Sequence, residues 1–413
     1  MSTQASTSKA PVPPKSATKA SGAAPDAEEV DPVPCQAVAD ARWRLSQPTL
    51  SHLHDEARKT LLDGIRADEM GPFLESLGSS VDLGTPIGPL LEELKAKNAA
   101  ELKRLDDLLE DARTNLGETD LSAVLRDRAL YLARIGEKER ALEAYDAALE
   151  KVVGLGSRID LRLAVIRIAL FHGDQALTVS NIAKAKELVE DGGDWDRRNR
   201  LKAYEGLHFL SVRDFKQAAD LLLDTLSTFA ATELMSYESF VGLCIIAGTL
   251  TLSRVDYKKK IISSPEVIGV LPQLPHLKDY SNSLYNGEYA KFFRCLAEVE
   301  TTYLASSRLL SQHTRYYVRE MRIKAYAQLL ESYRSVTMAS LCTAFGVNEP
   351  WLDADLARFI AAGRLNFSID RVNGVVETNR PDARNARYEQ VVKQGDALLN
   401  NLSRVSRAIS TTT

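Results

Sequence analysis

The chain has 413 residues, a formal net charge of −4, and 45% hydrophobic against 26% charged residues. That length and apolar content suffice for a large core and more than one domain, and so mildly acidic a balance removes any bulk attraction to nucleic acid or to an anionic membrane. No apolar run reaches the ~20 residues of a membrane-spanning helix, and the start, Met1-Ser-Thr-Gln-Ala-Ser-Thr-Ser-Lys9, lacks the apolar stretch of a secretory signal.

Residues 1–38 read as a disordered tail. Pro11, Pro13, Pro14, Pro25, Pro32 and Pro34 stand there amid Ser, Thr, Ala and Lys, and such a segment buries too little apolar surface to offset the entropy of ordering it. Residues 39–117 read as helices. Leu90, Leu91, Leu94, Leu102, Leu105, Leu108 and Leu109 recur at helical spacing inside a highly charged stretch. That pattern is an amphipathic helix, packed on a neighbour or offered to a partner.

Residues 118–315 read as paired helices. Gly136-Glu-Lys-Glu-Arg-Ala141-Leu-Glu-Ala-Tyr145-Asp-Ala-Ala148 alternates small and large residues as two closely packed helices require. Gly206, Arg213-Asp-Phe215-Lys-Gln-Ala218 and Leu222 give a related pattern, and Gly287-Glu-Tyr289-Ala-Lys-Phe292-Phe293 a weaker one. They resemble tetratricopeptide repeats, in which small residues let helices approach. The intervals keep no strict period, so the expectation is a right-handed helical solenoid of irregular units with extended faces for partners. Gly192-Gly-Asp-Trp195-Asp-Arg197-Arg198-Asn-Arg200-Leu-Lys202 is densely basic. It reads either as a docking site for an acidic partner or as a helix start with Asp194 near the cap and Trp195 anchoring the turn. Arg315-Tyr-Tyr-Val-Arg-Glu-Met-Arg322 mixes aromatics with Arg, but Val318, Met321, Ala325 and Leu329 keep helical spacing, which predicts a long lead-in helix.

Residues 316–380 hold that lead-in helix and a winged-helix pattern. Ser335 and Thr337 offer helix caps, Met338, Leu341, Cys342 and Phe345 share a helical face, and Gly346 stops the helix. Asn348 and Pro350 start a second helix with Leu352, Leu356, Phe359 and Ile360 as its stripe, ended by Gly363. Leu365, Phe367 and Ile369 alternate as a strand does, Asn373-Gly374 marks a turn, and Val376 and Thr378 continue the return strand. The second helix carries Glu349, Asp353 and Asp355 against Arg358, and the turn pairs Asp370 with Arg371. A major-groove helix needs Lys or Arg, so the expectation is a protein-docking wedge with a sheet edge for pairing. Its candidate contacts are Leu365, Phe367, Ile369, Asp370 and Arg371.

Residues 381–413 form a last helix after the break Asn379-Arg380-Pro381-Asp382. Tyr388, Gly395, Leu402 and Ile409 are spaced by sevens, with Val391 or Val392, Leu398 or Leu399, and Val405 between them. Such a heptad stripe either folds back on its own solenoid or joins helices of other chains. The second is favoured, with Tyr388, Val391, Val392, Leu398, Leu399, Leu402, Val405 and Ile409 as partner contacts.

Signatures of chemistry are weak. His52 and His54, two apart, point to different faces of a helix and make a poor metal pair. The His-x-His metalloprotease motif fails further on, where its Ser and Asp positions hold Leu62 and Ile65. Neither a Gly-x-x-x-x-Gly-Lys-Ser/Thr loop nor a Gly-x-Ser-x-Gly elbow occurs. Acidic pairs such as Asp106-Asp107 read as solvated helix faces. Cys35, Cys244, Cys295 and Cys342 lie far apart and read as free thiols of a reducing compartment. No catalytic, cofactor-binding or metal-binding residue is expected.

Several blocks carry a specific resemblance. Gly192–Lys202, Arg213-Asp-Phe-Lys-Gln-Ala-Ala219, Tyr316-Tyr-Val-Arg-Glu-Met-Arg-Ile323, Gln328-Leu-Leu-Glu-Ser-Tyr-Arg-Ser335, Arg358-Phe-Ile-Ala-Ala-Gly-Arg364 and Val376-Glu-Thr-Asn-Arg-Pro-Asp382 closely resemble the family of the 26S proteasome non-ATPase regulatory subunit six, also called regulatory particle non-ATPase subunit seven. The likeness runs from around Leu90 to the C-terminus. It implies a mainly α protein: a solenoid, a winged-helix PCI module, and a C-terminal helix that joins a bundle. It implies a scaffold, without enzyme activity or cofactor, in the lid of the 19S regulatory particle of cytoplasm and nucleus, supporting degradation of ubiquitinated proteins. The implied partners are the PCI siblings (non-ATPase subunits three and six), the deubiquitinating subunits through the bundle, and the ATPase ring, with no nucleic acid and no membrane. The first subunit of the COP9 signalosome is the competing likeness.

Overall fold

The computed structural model describes residues 30–78, 87–115, 117–379 and 383–412. Four helices come first: α1 (Gln36–Ser46), α2 (His54–Ala67), α3 (Gly71–Leu77) and α4 (Ile87–Asn115). A run of paired helices follows: α5 (Glu118–Arg134), α6 (Lys138–Lys151), α7 (Leu155–His172), α8 (Gln175–Glu190), α9 (Trp195–Val212) and α10 (Phe215–Asp224). The solenoid continues through α11 (Tyr237–Thr251), α12 (Arg254–Tyr257), α13 (Pro265–Val270), α14 (Pro275–Asn286), α15 (Tyr289–Val299) and α16 (Thr314–Ser332). The C-terminal part is β1 (Ser335–Thr337), α17 (Met338–Phe345), α18 (Glu349–Ala361), β2 (Phe367–Asp370), β3 (Val375–Thr378) and α19 (Ala383–Thr412).

Small residues set the pairing as their spacing predicts. A Cβ on Gly206 would stand 2.7 Å from Cδ2 of the fully buried Leu222, so the Leu222 side chain of α10 packs directly onto the α9 backbone there. Ala141 and Ala218, on the second helices of their pairs, are likewise fully buried. The α7 helix ends at Gly173 in the left-handed region (φ 75°), and α9 ends the same way at Arg213 (φ 73°), which a side chain makes less comfortable. The Arg213 guanidinium then lies 5.1 Å from the Tyr316 ring centre on α16. Regularity fails after α11, where α12, a π-helical turn at Lys258–Ile262 and α13 intervene before α14.

The core runs unbroken from α7 into the winged helix: Tyr280, Tyr317 and Met321 share one apolar cluster with Leu352, Leu356, Phe359, Leu365 and Val376. Polar ties reinforce the joint. Asp355, buried on α18, meets Arg322 at 3.2 Å and accepts from the Tyr326 hydroxyl at 3.2 Å, both on α16. Arg364 reaches Glu320 on the same helix. At the other face of α16, Lys324 donates to the carbonyls of Thr249, Leu250 and Leu252 at 2.6, 3.4 and 2.9 Å, closing the C-terminal end of α11. Burial pulls the Lys324 pKa down to about 8.

Two expectations need correction. The tail is not loose up to residue 38. Val33 and Pro34 are buried, the Val33 carbonyl accepts from Arg167 Nε at 3.0 Å, and α1 already begins at Gln36. The buried Arg167 guanidinium needs acceptors, and the chain before α1 supplies one. Residues 1–29 lie outside the described part. Ser335 is no cap either: it pairs with Glu377 in β1, and Thr337 alone caps α17, its hydroxyl accepting from Ser340 N at 3.3 Å.

Candidate functional site: two exposed edges

The first candidate surface is α19. It has 30 residues, about 45 Å of helix at ~1.5 Å per residue. Tyr388, Val391, Val392, Leu398, Leu399, Leu402, Val405 and Ile409 are each between 55% and 69% exposed. Every side chain described on this helix is exposed, so the stripe is not folded onto the solenoid. At ~100° per residue the stripe occupies a wedge of about 140°, and its heptad spacing drifts in the sense that a left-handed supercoil corrects.

The second candidate is the sheet. Its order is β1-β3-β2, with Ile369 opposite Val376 and Phe367 opposite Thr378. β1 and β2 are therefore both edges. Leu365 is buried, and Phe367 and Ile369 pack half-buried against the core, so one face of this hairpin is already occupied within the chain. Its unpaired backbone on the outer side of β2 is what remains for another chain. Asp370 is committed to the turn: its carboxylate accepts from Val372 N at 2.9 Å, Asn373 N at 3.2 Å and Asn373 Nδ2 at 2.7 Å. The Asn373 side chain, then those backbone N–H groups, hold the Asp370 pKa below its ordinary value. Arg371 spans from the turn to Asp353 on α18 at 2.7 Å.

Sequence reasoning missed two exposed groups here. Val372, at the tip of the wing, is 94% exposed. Trp351, on the first turn of α18, is half-exposed with the Arg322 guanidinium 5.6 Å from its ring centre. An apolar residue between Arg371 and Asn373, where a turn needs none, was the available signal for the first.

The charge of α18 differs from its sequence count. Asp355 is buried and paired, and Asp353 is partly taken by Arg371, which leaves Glu349 and Arg358 as its exposed charges. The helix surface is thus near neutral. It lacks the basic stripe that groove binding needs.

The basic segment of α9 is largely neutralised inside the chain. Arg197 forks onto Asp160 of α7, with Nε–Oδ1 at 2.9 Å and Nη2–Oδ2 at 2.7 Å, and also meets Asp194. Arg200 is buried and paired with Asp196 at 2.9 Å, and Lys202 reaches Asp224 of α10. The segment therefore fastens α9 to its neighbours. Trp195 does not anchor the turn but stands 62% exposed. His52 and His54 gather no further ligands: His54 Nε2 bonds the Gln47 carbonyl at 3.0 Å, and no group of three metal-ligating side chains forms among the described residues. Cys244 and Cys295 are buried and Cys35 and Cys342 partly so, all as free thiols.

Known proteins match this architecture along its length. The family described as 26S proteasome subunit RPN7 matches residues 89–260. The PCI domain matches residues 296–380, starting within α15, upstream of the lead-in helix where the module was expected to begin. The 26S proteasome non-ATPase regulatory subunit 6 of Oryza sativa subsp. japonica is 42% identical over 383 residues, 92% of this chain and 98% of that protein. The 26S proteasome regulatory subunit rpn7 of Schizosaccharomyces pombe is 42% identical over 378 residues, 90% of this chain and 95% of that protein. COP9 signalosome complex subunit 1 of Arabidopsis thaliana is 22% identical over 301 residues, 71% of this chain and 66% of that protein, a far weaker likeness. A helical solenoid running into a winged helix, matched at this identity over nearly its whole length, places the chain in the family of 26S proteasome non-ATPase regulatory subunit 6, with a PCI domain at its C-terminal end.

Proposed function

We propose that the protein is a non-catalytic structural subunit of the proteasome's 19S regulatory particle, placed in its lid and working in cytoplasm and nucleus. It supports lid assembly, and through it the ATP-dependent degradation of ubiquitinated proteins. The observation that carries the reading is the exposed stripe of α19. Each large apolar side chain gains ~1.5–3 kcal/mol on burial, so a stripe of eight such residues left in water is a large unspent driving force for association. Helices of other lid subunits, the deubiquitinating ones among them, are its partners in a bundle. The free edge of β2, with the turn at Asp370 and Arg371, is the contact for the PCI siblings, non-ATPase subunits three and six. The ATPase ring is a further neighbour of the assembled lid.

Two experiments test this. Affinity purification of the tagged full chain under mild conditions should bring down proteasome lid subunits, and recovery of signalosome subunits in their place would overturn the reading. Substituting Leu398→Asp and Leu402→Asp together should leave a folded monomer that is absent from purified lid. The two charges would have to enter an apolar bundle, at a cost of several kcal/mol. Normal incorporation of that variant would count decisively against α19 as the assembly element.

A further inference from the structure

Asn-Gly occurs twice in the chain, at Asn286-Gly287 and at Asn373-Gly374. The pair has a chemistry of its own. Glycine carries no side chain, so its backbone nitrogen approaches the preceding side-chain amide unhindered. When that nitrogen loses its proton to water or hydroxide, it attacks Cγ of the asparagine. The new N–Cγ bond closes a five-membered imide, and the side-chain nitrogen takes up a proton and leaves as ammonia. Water then opens the imide. Cleavage beside Cγ gives aspartate, and cleavage at the main-chain carbonyl gives isoaspartate, whose chain runs through Cβ and Cγ. One water is consumed and one ammonia released.

Both asparagines are exposed, so access to water does not separate them. The backbone does. Asn286 is the last residue of α14, and Gly287 N donates to the Ser283 carbonyl at 3.0 Å. Its proton is held there, and attack requires the helix end to open. Gly374 N, in the wing turn, meets no carbonyl among the described residues. The hydrogen bonds of that turn come from its neighbours: Val372 N and Asn373 N donate to the Asp370 carboxylate at 2.9 and 3.2 Å. The Gly374 carbonyl accepts from Met338 N at 2.8 Å, but its nitrogen is left over. Asp370 also takes Asn373 Nδ2 at 2.7 Å. That contact holds the nitrogen that departs and leaves Cγ open to attack. Conversion then changes what the turn is made of. A carboxylate replaces the Nδ2 donor, and two like charges meet where a hydrogen bond stood. Isoaspartate also adds a main-chain atom to the loop 371–374, whose ends are fixed by the Asp370–Val375 pair of β2 and β3.

We propose that Asn373 is a site of spontaneous deamidation at the wing tip, passing with time to aspartate and isoaspartate and loosening the β2–β3 turn, while Asn286 keeps its amide in the folded chain. The test compares the two asparagines in one sample. The full chain is aged at neutral pH, and tryptic mapping with tandem mass spectrometry reads the gain of a carboxyl at each position over time. Methyl transfer from labelled S-adenosylmethionine by an isoaspartate methyltransferase reads isoaspartate in the same peptides. Asn373 should convert about tenfold or more faster than Asn286 in the folded chain, and the two rates should converge in urea. Asn373→Gln should remove both signals from the wing peptide and leave those at Asn286 unchanged. Asn373→Asp should speed amide exchange in β2 and β3 with far-UV circular dichroism unchanged. Equal rates in the folded chain, a difference that persists in urea, or wing signals that survive Asn373→Gln would each overturn the proposed site, and unchanged exchange in Asn373→Asp would overturn the loosening. The measurement uses the isolated chain, so its failure leaves the reading of α19 untouched.

Discussion

Single residues carry strain and charge that can be probed directly. Gly206 is one. Leu222 has nowhere to retreat from a new methyl group, so Gly206→Ala should lower stability by about 1–3 kcal/mol despite the better helix propensity of Ala, read as a drop in the urea midpoint. The small residue was visible in the sequence. Its necessity was not, because only the packed pair shows which side chain stands opposite. His172 is another. Burial, then the nearby charges of Lys138 and Arg42, lower its pKa to about 4 from the ordinary 6.5, with Asp174 opposing. The folded chain holds the ring neutral while the unfolded chain takes up a proton below about 6.5, so this residue's contribution to stability falls as pH drops from there towards 4. His172→Gln should flatten part of that fall in urea unfolding measured across the window. An unchanged slope would remove the residue from the account.

At the scale of elements, α19 separates folding from assembly. Its described side chains are exposed and add nothing to the core, so deleting Tyr388–Thr413 should shift the thermal midpoint of the isolated chain by no more than a degree or two. A large fall would mean that α19 packs on the solenoid in solution. The helix was legible from its heptads because period is a local property. Which of its two fates holds was not, since a stripe on one helix says nothing about what covers it. The winged helix shows the converse. Both helices and the β2–β3 hairpin were legible from caps, stripes and alternation, but β1 was hidden. Three residues, Ser335-Val-Thr337, make too short a pattern to distinguish a strand from a helix approach, and only pairing with β3 defines it.

The whole molecule is closed by contacts between segments far apart in sequence. Arg308, between α15 and α16, meets Asp40 of α1 at 2.8 Å, the Leu170 carbonyl of α7 at 2.6 Å and Gln36 Oε1 at 3.2 Å. One guanidinium thus joins the N-terminal helices to the middle and to the end of the solenoid. Arg308→Ala should cost about 1–3 kcal/mol, since it leaves the buried Gln36 amide oxygen and the half-exposed Asp40 carboxylate without this donor, while the Leu170 carbonyl keeps Gly173 N. Faster amide exchange should appear first in α1, and protection unchanged there would show that the clamp is idle. Nothing in the sequence around Arg308 or Asp40 marked them, because each looks like an ordinary surface charge until the fold brings them together.

The residues alone determined the class of this protein: helical period, small-residue spacing, the caps and turns of the winged helix, and the heptads of its last helix. All are short-range patterns imposed by backbone geometry. The tertiary structure decided how those parts are used. It buried Asp355 and paired Asp353 with Arg371, which together removed most of the acidity of α18, locked the basic segment at Arg197 into α9's own neighbours, folded Val33 onto Arg167, and left α19 and the outer edge of β2 in solvent. The physical reason is that a charge or an apolar face has no role until its partner is known, and partners here lie tens to hundreds of residues away.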